Sequence, residues 1–128
     1  MAGCQPSFAP RLESAHDNGG VLTYIRWYWP DDDVWNYEEL DGDRCSIRHV
    51  EVAGDGLVVA ASSLAEVLAA RDSGSIEAVQ RYESRYGGSP VGSFPDQSDE
   101  YPIEAVAQDV FDELWRTGRQ RLRDQDAT

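Results

Sequence analysis

Lysine is missing from this chain: all eleven of its basic residues are arginine. A phosphate-gripping P-loop lysine, a Schiff-base lysine and a lysine general base are therefore excluded. Cysteine is nearly missing too. Cys4 and Cys45 are the only two, too few for a disulfide framework or a four-thiolate zinc site within one chain, and the composition suits a reducing compartment. No apolar run approaches the roughly 20 residues of a membrane-spanning helix. The opening Met1-Ala2-Gly3-Cys4 ends like a lipoprotein signal, but neither a basic nor an apolar stretch precedes the cysteine, so a cytoplasmic location is expected. Positive charge is also in short supply: 24 acidic residues face 11 basic ones, a formal net charge of -13. Such a surface repels phosphate backbones and anionic headgroups, so neither direct nucleic-acid binding nor membrane association is expected. The GxSxG, HExxH, GxGxxG and CxxC patterns are absent, which leaves hydrolase, zinc-protease, dinucleotide and redox readings without their defining residues. No catalytic residue, metal or cofactor is assigned.

What the chain does have is the material of one domain. Its 128 residues are 41% hydrophobic and 27% charged, enough to remove roughly two-thirds of the unfolded surface from water. Residues 1–20 carry Pro6, Pro10, Gly19 and Gly20 without periodicity and are expected to form a flexible tail. Val21 to Trp29, rich in β-branched and aromatic residues and closed by Pro30, reads as a first strand. A turn through Asp31, Asp32 and Asp33 leads to a second strand at 34–40, and Asp41-Gly42-Asp43 supplies the chemistry of the next turn. Residues 45–52 and 57–61 flank a tight Asp55-Gly56 hairpin. Ile47 and Val50 fall on opposite faces of a regular strand, which predicts either a bulge or burial on both sides. After Ser62 the period changes. Ser63 stands at capping-box distance from Glu66, Ser75 caps a helix from Ile76 to Tyr86, and residues 89–101 read as a loop. A last helix is predicted from Pro102, with Ile103, Val106, Ala107, Val110, Phe111 and Leu114 as its apolar stripe, ahead of a fraying tail at 120–128. Strands first and helices after predict an α+β domain over 21–119: a four-stranded antiparallel meander with helices packed on one face.

Tyr24-Ile25, Trp29, Glu39-Leu40-Asp41, Arg44, Arg48, Val50-Glu51-Val52 and Asp55-Gly56 together make a pattern. Through it the chain resembles a family of small bacterial proteins classed only as a domain of unknown function. Phe111, Leu114 and Trp115 look like the family's closing helix. The resemblance covers the sheet and the last helix. It implies a shared fold and a structural role for these positions, and it brings no activity with it.

Seven acidic side chains, Asp31, Asp32, Asp33, Glu38, Glu39, Asp41 and Asp43, fall between residues 31 and 43 with no basic residue among them. The run is not an EF-hand loop, because placing Gly42 at the obligatory glycine position puts Tyr37 first and Arg48 twelfth, where carboxylates belong. A hydrated magnesium or manganese ion needs fewer ligands, yet nothing in the spacing fixes an octahedral site. Trp35 and Tyr37 lie inside the run, and flat aromatic area beside carboxylates is what a surface recognising arginine-rich partners uses. The competing reading is a solvated charged turn with its aromatics facing inward. The expected partner-binding residues are Asp31, Asp32, Asp33, Trp35, Tyr37, Glu38, Glu39 and Asp43. Tyr24, Arg26 and Tyr28, on the less apolar face of the first strand, form a second candidate patch, whose alternative is packing beneath a helix. Cys45 and His49, four residues apart on a strand, are separated by roughly 13 Å, too far for a thiolate–imidazole nucleophile. His49 with Glu51 is the one acid–base pairing to consider, against an ordinary strand histidine. The leading expectation is a non-enzymatic acidic domain that binds a basic protein partner, such as a toxin or a nucleic-acid-binding protein, in the manner of an immunity or inhibitor protein. The alternative is a small metal-assisted or carboxylate-dependent enzyme built on the same acidic residues with His49 or Glu51.

Overall fold

The computed structural model describes residues 22–88, 93–95 and 97–127, with side chains to residue 125. The expected N-terminal tail and Cys4 lie outside them. The first four strands are β1 (Thr23–Trp29), β2 (Val34–Leu40), β3 (Ser46–Ala53) and β4 (Val58–Ser63). Then come α1 (Leu64–Asp72), α2 (Ile76–Tyr86), a two-residue β5 (Glu104–Ala105) and α3 (Gln108–Ala127). The sheet is antiparallel in the order β4-β3-β2-β1-β5. The α+β meander is therefore as expected, with a fifth short strand added.

Local chemistry explains the turns and caps. Gly56, at φ 92°, closes the β3–β4 hairpin as the Asp-Gly pair predicts. In the β2–β3 turn the left-handed residue is Arg44, at φ 63°, rather than Gly42. The turn is held by the Asp41 carboxylate, which accepts the backbone N–H of Asp43 at 2.9 Å and of Cys45 at 3.0 Å. Ser63 and Ser75 cap α1 and α2 by accepting the N–H of Glu66 and Ala78. In β3 both predicted outcomes occur together. Glu39 pairs with Arg48 and Leu40 with Ser46, so Ile47 is the extra residue of a bulge, and the strand is buried on both faces.

The last helix departs from expectation at both ends. Residues 104–105 do not start it; they pair with Ile25 and Arg26 on the open edge of β1, satisfying backbone groups an edge strand would otherwise leave exposed. Ile103 packs beside Ile25, Leu40 and Phe94 instead of joining the helical stripe. At the other end, 120–127 is helical, because Leu122, 4% exposed, continues the stripe of Phe111 and Leu114 into the core. Gly118 sits inside this helix, where glycine costs about 1 kcal/mol relative to alanine. The close approach of α3 to β4 accounts for it: a Cβ there would stand 2.7 Å from Val58 Cγ1.

All three helices border the face that carries Tyr24, Val50, Val52, Val58 and Ala61, where Tyr86, Phe111 and Leu122 complete the main core. The opposite face carries a smaller cluster of Ile25, Leu40 and Phe94. Arg44 straps the 93–95 segment over it, donating from Nε to the Phe94 carbonyl at 2.6 Å and from NH2 to the Pro95 carbonyl at 2.9 Å. Tyr101 stacks on Trp27 at 4.6 Å. Cys45 lies buried beside this strap and is disulfide-bonded, which corrects the expectation of reduced thiols.

Candidate binding surface at the β1–β2 turn

Side-chain alternation along β2 splits the acidic run in two. Trp35, Tyr37 and Glu39 face the helices, paired across the sheet with Tyr28, Arg26 and Tyr24, while Asn36, Glu38 and Leu40 face the other way, opposite Trp27, Ile25 and Thr23. On the helical side Glu39, buried, takes a bidentate contact from Arg48 at 2.6 and 2.9 Å and the Tyr24 hydroxyl at 2.7 Å. Arg48 also donates to Asp112 at 3.0 Å and lies over the Phe111 and Trp115 rings. Burial, with the Glu39 hydrogen bond behind it, pushes the Tyr24 hydroxyl up to about 12.

On the other side Glu38 is fully buried and accepts three hydrogen bonds. The donors are Trp27 Nε1 at 3.1 Å, Ser46 Oγ at 2.7 Å and His49 Nδ1 at 2.8 Å. The second nitrogen of His49 donates to Glu51 at 3.0 Å. Burial alone pulls the imidazolium down, but Glu38 and then Glu51 outweigh it and lift His49 to about 9. The same hydrogen bond holds the Glu51 carboxyl below its usual range. With an elevated pKa and both nitrogens donating, His49 is an imidazolium near neutral pH and has no lone pair with which to act as a base.

Glu38 and Glu39, expected at a partner-binding surface, are therefore inside the protein. The strand period places one carboxylate against each sheet face, and both faces are covered there. Tyr24, from the second candidate patch, is buried as well, with its ring 5.3 Å from Phe111 beneath α3. Arg26 remains accessible but committed: it reaches Glu104 at 2.8 Å and the Tyr37 hydroxyl at 3.2 Å, and lies 4.2 Å over the Trp35 ring. Asp43 is exposed, but at the far end of β2 from the others.

What remains gathers around the β1–β2 turn. Asp31, Asp32 and Asp33 are all exposed, and among the described residues Asp31 and Asp32 have no ion-pair partner. On one side of the hairpin opens a hollow of about 580 Å³, walled by Tyr28, Pro30, Trp35, Tyr101 and Pro102, with Asp33 and Glu100 among its lining. Tyr28 packs 5.2 Å from Trp35 and donates its hydroxyl to Asp33. Gly54 borders the same space because any Cβ there would strike the Asp33 carboxylate. On the other side of the hairpin lies a smaller hollow of about 240 Å³, formed by Trp27, Trp29, Asp32, Val34, Asn36 and Glu51. The two hollows share the aspartate turn as their common crest.

Of the expected residues, then, the fold brings Asp31, Asp32, Asp33, Trp35 and Tyr28 together and separates Glu38, Glu39, Asp43 and Tyr24 from them. Sequence reasoning missed Glu100 and Tyr101, which arrive from a segment that reads as loop with no periodic signal, and Pro102, which reads as the first turn of the last helix. It also missed Asn36, whose signal was present: an amide in line with Leu40 on an inward-facing strand position. Among the described residues no group of three or more His, Cys, Asp or Glu side chains is arranged to hold a metal ion. The chain matches no family model, no curated protein and no solved structure, so no relative lends these residues a role.

Proposed function

We propose that this is a binding domain for a basic protein partner, acting as an immunity or inhibitor protein does on a cationic toxin, with its contact surface at the β1–β2 turn. The observation that carries the reading is the larger hollow. Aromatic and proline walls joined to Asp33 and Glu100 form a concave, carboxylate-lined apolar site at the tip of an exposed aspartate turn. Such a surface desolvates an arginine or lysine stem against rings while its charge is met by carboxylates. The chain's net charge of -13 adds long-range attraction to the encounter.

The test is an affinity capture from native-host lysate at low and at high salt. A specifically retained basic protein is expected, released by salt and lost when Asp31, Asp32 and Asp33 are reversed to arginine. Capture that is indifferent to salt, or that survives the reversal, would overturn the reading. The competing enzyme needs an available base or a metal cluster, and His49 is occupied on both nitrogens. As to compartment, the bonded Cys45 favours an oxidising one over the cytoplasm expected from composition. Mass spectrometry of the cysteines in protein taken from cells decides between them.

A further inference from the structure

Buried amides almost always find hydrogen-bond partners, because leaving one unpaired forfeits its hydration with no return. Asn36 breaks that rule. It is 4% exposed, and among the described residues its carboxamide has no hydrogen-bond partner. It occupies the centre of a row that crosses the sheet, with Trp27 on one neighbouring strand and Glu51 on the other. All three line the smaller hollow, together with Trp29, Val34 and Asp32.

The chemistry around that amide is selective. No basic side chain lines the hollow, whereas two carboxylates do. Glu51 spends one oxygen, Oε2, on His49, and its side chain is 34% exposed, so Oε1 is left to accept. The indoles of Trp27 and Trp29 meet edge to face, with centroids 6.0 Å apart; Trp27 is stacked by Tyr101, and the exposed Trp29 ring offers its π-face to a cation. A planar, weakly hydrated cation with several diverging N–H donors fits this set: it bridges Glu51 and the Asn36 carbonyl oxygen while stacking on an indole. An ammonium is compact and strongly hydrated, and would give up more water for fewer aligned bonds.

We infer that the hollow formed by Trp27, Trp29, Asn36 and Glu51 is a guanidinium pocket, which takes an arginine side chain of the basic partner. This deepens the proposed function and rests on it, but it concerns a separate pocket on the other side of the hairpin. Asn36 supplies the acceptor that distinguishes a guanidinium fork from a point charge. Asp32, at the mouth, attracts the cation. His49, held between Glu38 and Glu51, fixes the orientation of the Glu51 carboxylate.

The experiment is an NMR titration of the whole protein with Nα-acetyl-arginine methylamide and, separately, with its lysine counterpart. Saturable shifts of the Trp27 and Trp29 indole N–H and the Asn36 side-chain amide signals are expected with the arginine compound, at least tenfold tighter than with the lysine one. Asn36→Leu, of similar shape, should weaken the arginine compound by tenfold or more and at the same time raise the melting temperature, since it removes an unpaired buried amide. Asp32→Asn, at the exposed mouth, provides a second variant that cannot fail by unfolding and should weaken binding several-fold. Equal binding of the lysine compound, absence of saturable shifts at these three residues, or a lowered melting temperature for Asn36→Leu would each overturn the inference. Partner capture that survives Asn36→Leu undiminished but is lost on reversing Asp31 to Asp33 would overturn it too, while leaving the proposed function standing.

Discussion

The two faces of the sheet receive the same acidic strand and treat it differently. On the helical face each buried charge among the described residues belongs to an arginine–carboxylate pair: Glu39 with Arg48, and Arg119 with Glu66, the latter arginine also meeting the Ala61 carbonyl and the rings of Tyr86 and Trp115. On the opposite face, among the described residues, no arginine reaches the buried Glu38 or Asn36; Arg44 there holds the 93–95 segment instead. Glu38 is met by an indole, a hydroxyl and an imidazolium, and Asn36 by nothing. A guanidinium supplies five donors in a fixed fork and stays charged at any physiological pH, so the arginine-closed face is satisfied permanently. Histidine donates to both of its carboxylates, Glu38 and Glu51, only while protonated. The first face is built for stability, and the second holds unfilled polar capacity and a charge that titrates.

That contrast can be broken from either side. The largest effect is expected from Glu38→Ala, which strands three buried donors and removes the counter-ion of His49; a loss of about 4 kcal/mol in urea unfolding is anticipated. Arg48→Ala on the helical face should cost about 3 kcal/mol by leaving the buried Glu39 charge with no cation and only the Tyr24 hydroxyl as donor. A double replacement of Glu38 and His49 by leucine should recover the part of the first loss owed to the stranded His49, while Trp27 Nε1 and Ser46 Oγ still lack their acceptor; no recovery at all would show that the pair is not the unit supposed.

Acidity sharpens the comparison next. His49 rises from its usual 6.5 to about 9 in the folded protein. Between those values the folded state holds a proton that the unfolded chain lacks. Its stabilisation is therefore complete below about 6.5 and is lost as pH climbs through about 9. At about 1.4 kcal/mol per unit, the ceiling is about 3 kcal/mol. Unfolding free energy measured from pH 6 to pH 10 should fall across that window, and a His49→Leu variant, whatever its absolute stability, should show a flatter profile. Smaller again is Gly118→Ala, where the gain in helix propensity is offset by the contact with Val58; a net loss of about 1 kcal/mol in thermal unfolding is expected. The least effect on stability, within about 0.5 kcal/mol, belongs to Asp31→Asn, Asp32→Asn and Asp33→Asn, whose carboxylates lie on the exposed turn.

Much of the fold was legible because its signals are local. The strand alternation from 23 to 53, the Asp55-Gly56 hairpin and the serine caps at 63 and 75 depend on residues within a few positions of one another, and each is where its chemistry placed it. The errors came where a distant partner decides. Ile103 and Val106 fit a helical stripe by spacing, but the unpaired edge of β1 offered residues 104–105 backbone partners that no periodicity reveals. Leu122 extended α3 because a core contact awaited it, not because residues 120–127 look apolar. The candidate site divided along the same line. The aspartates of the turn were readable as exposed, whereas the burial of Glu38 and Glu39 depends on what covers each face of β2, and alternation alone could show only that they point apart.

One consequence follows from the way α3 closes the helical face. Translation is vectorial, so β1 to β4, complete at Ser63, emerge well before the helix that begins at Gln108. In that interval Val50, Val52 and Val58 have no lid, and Glu39 and Arg48 pair without the Phe111 and Trp115 rings that later shield them. The nascent meander is thus a sticky surface on an otherwise self-repelling polyanion, and its aspartate-rich hairpins act as gatekeepers against premature association. A chain truncated after residue 107 should bind an apolar dye and aggregate faster as salt is raised. An excess of negative charge in this protein then serves the unfinished molecule as well as the finished one.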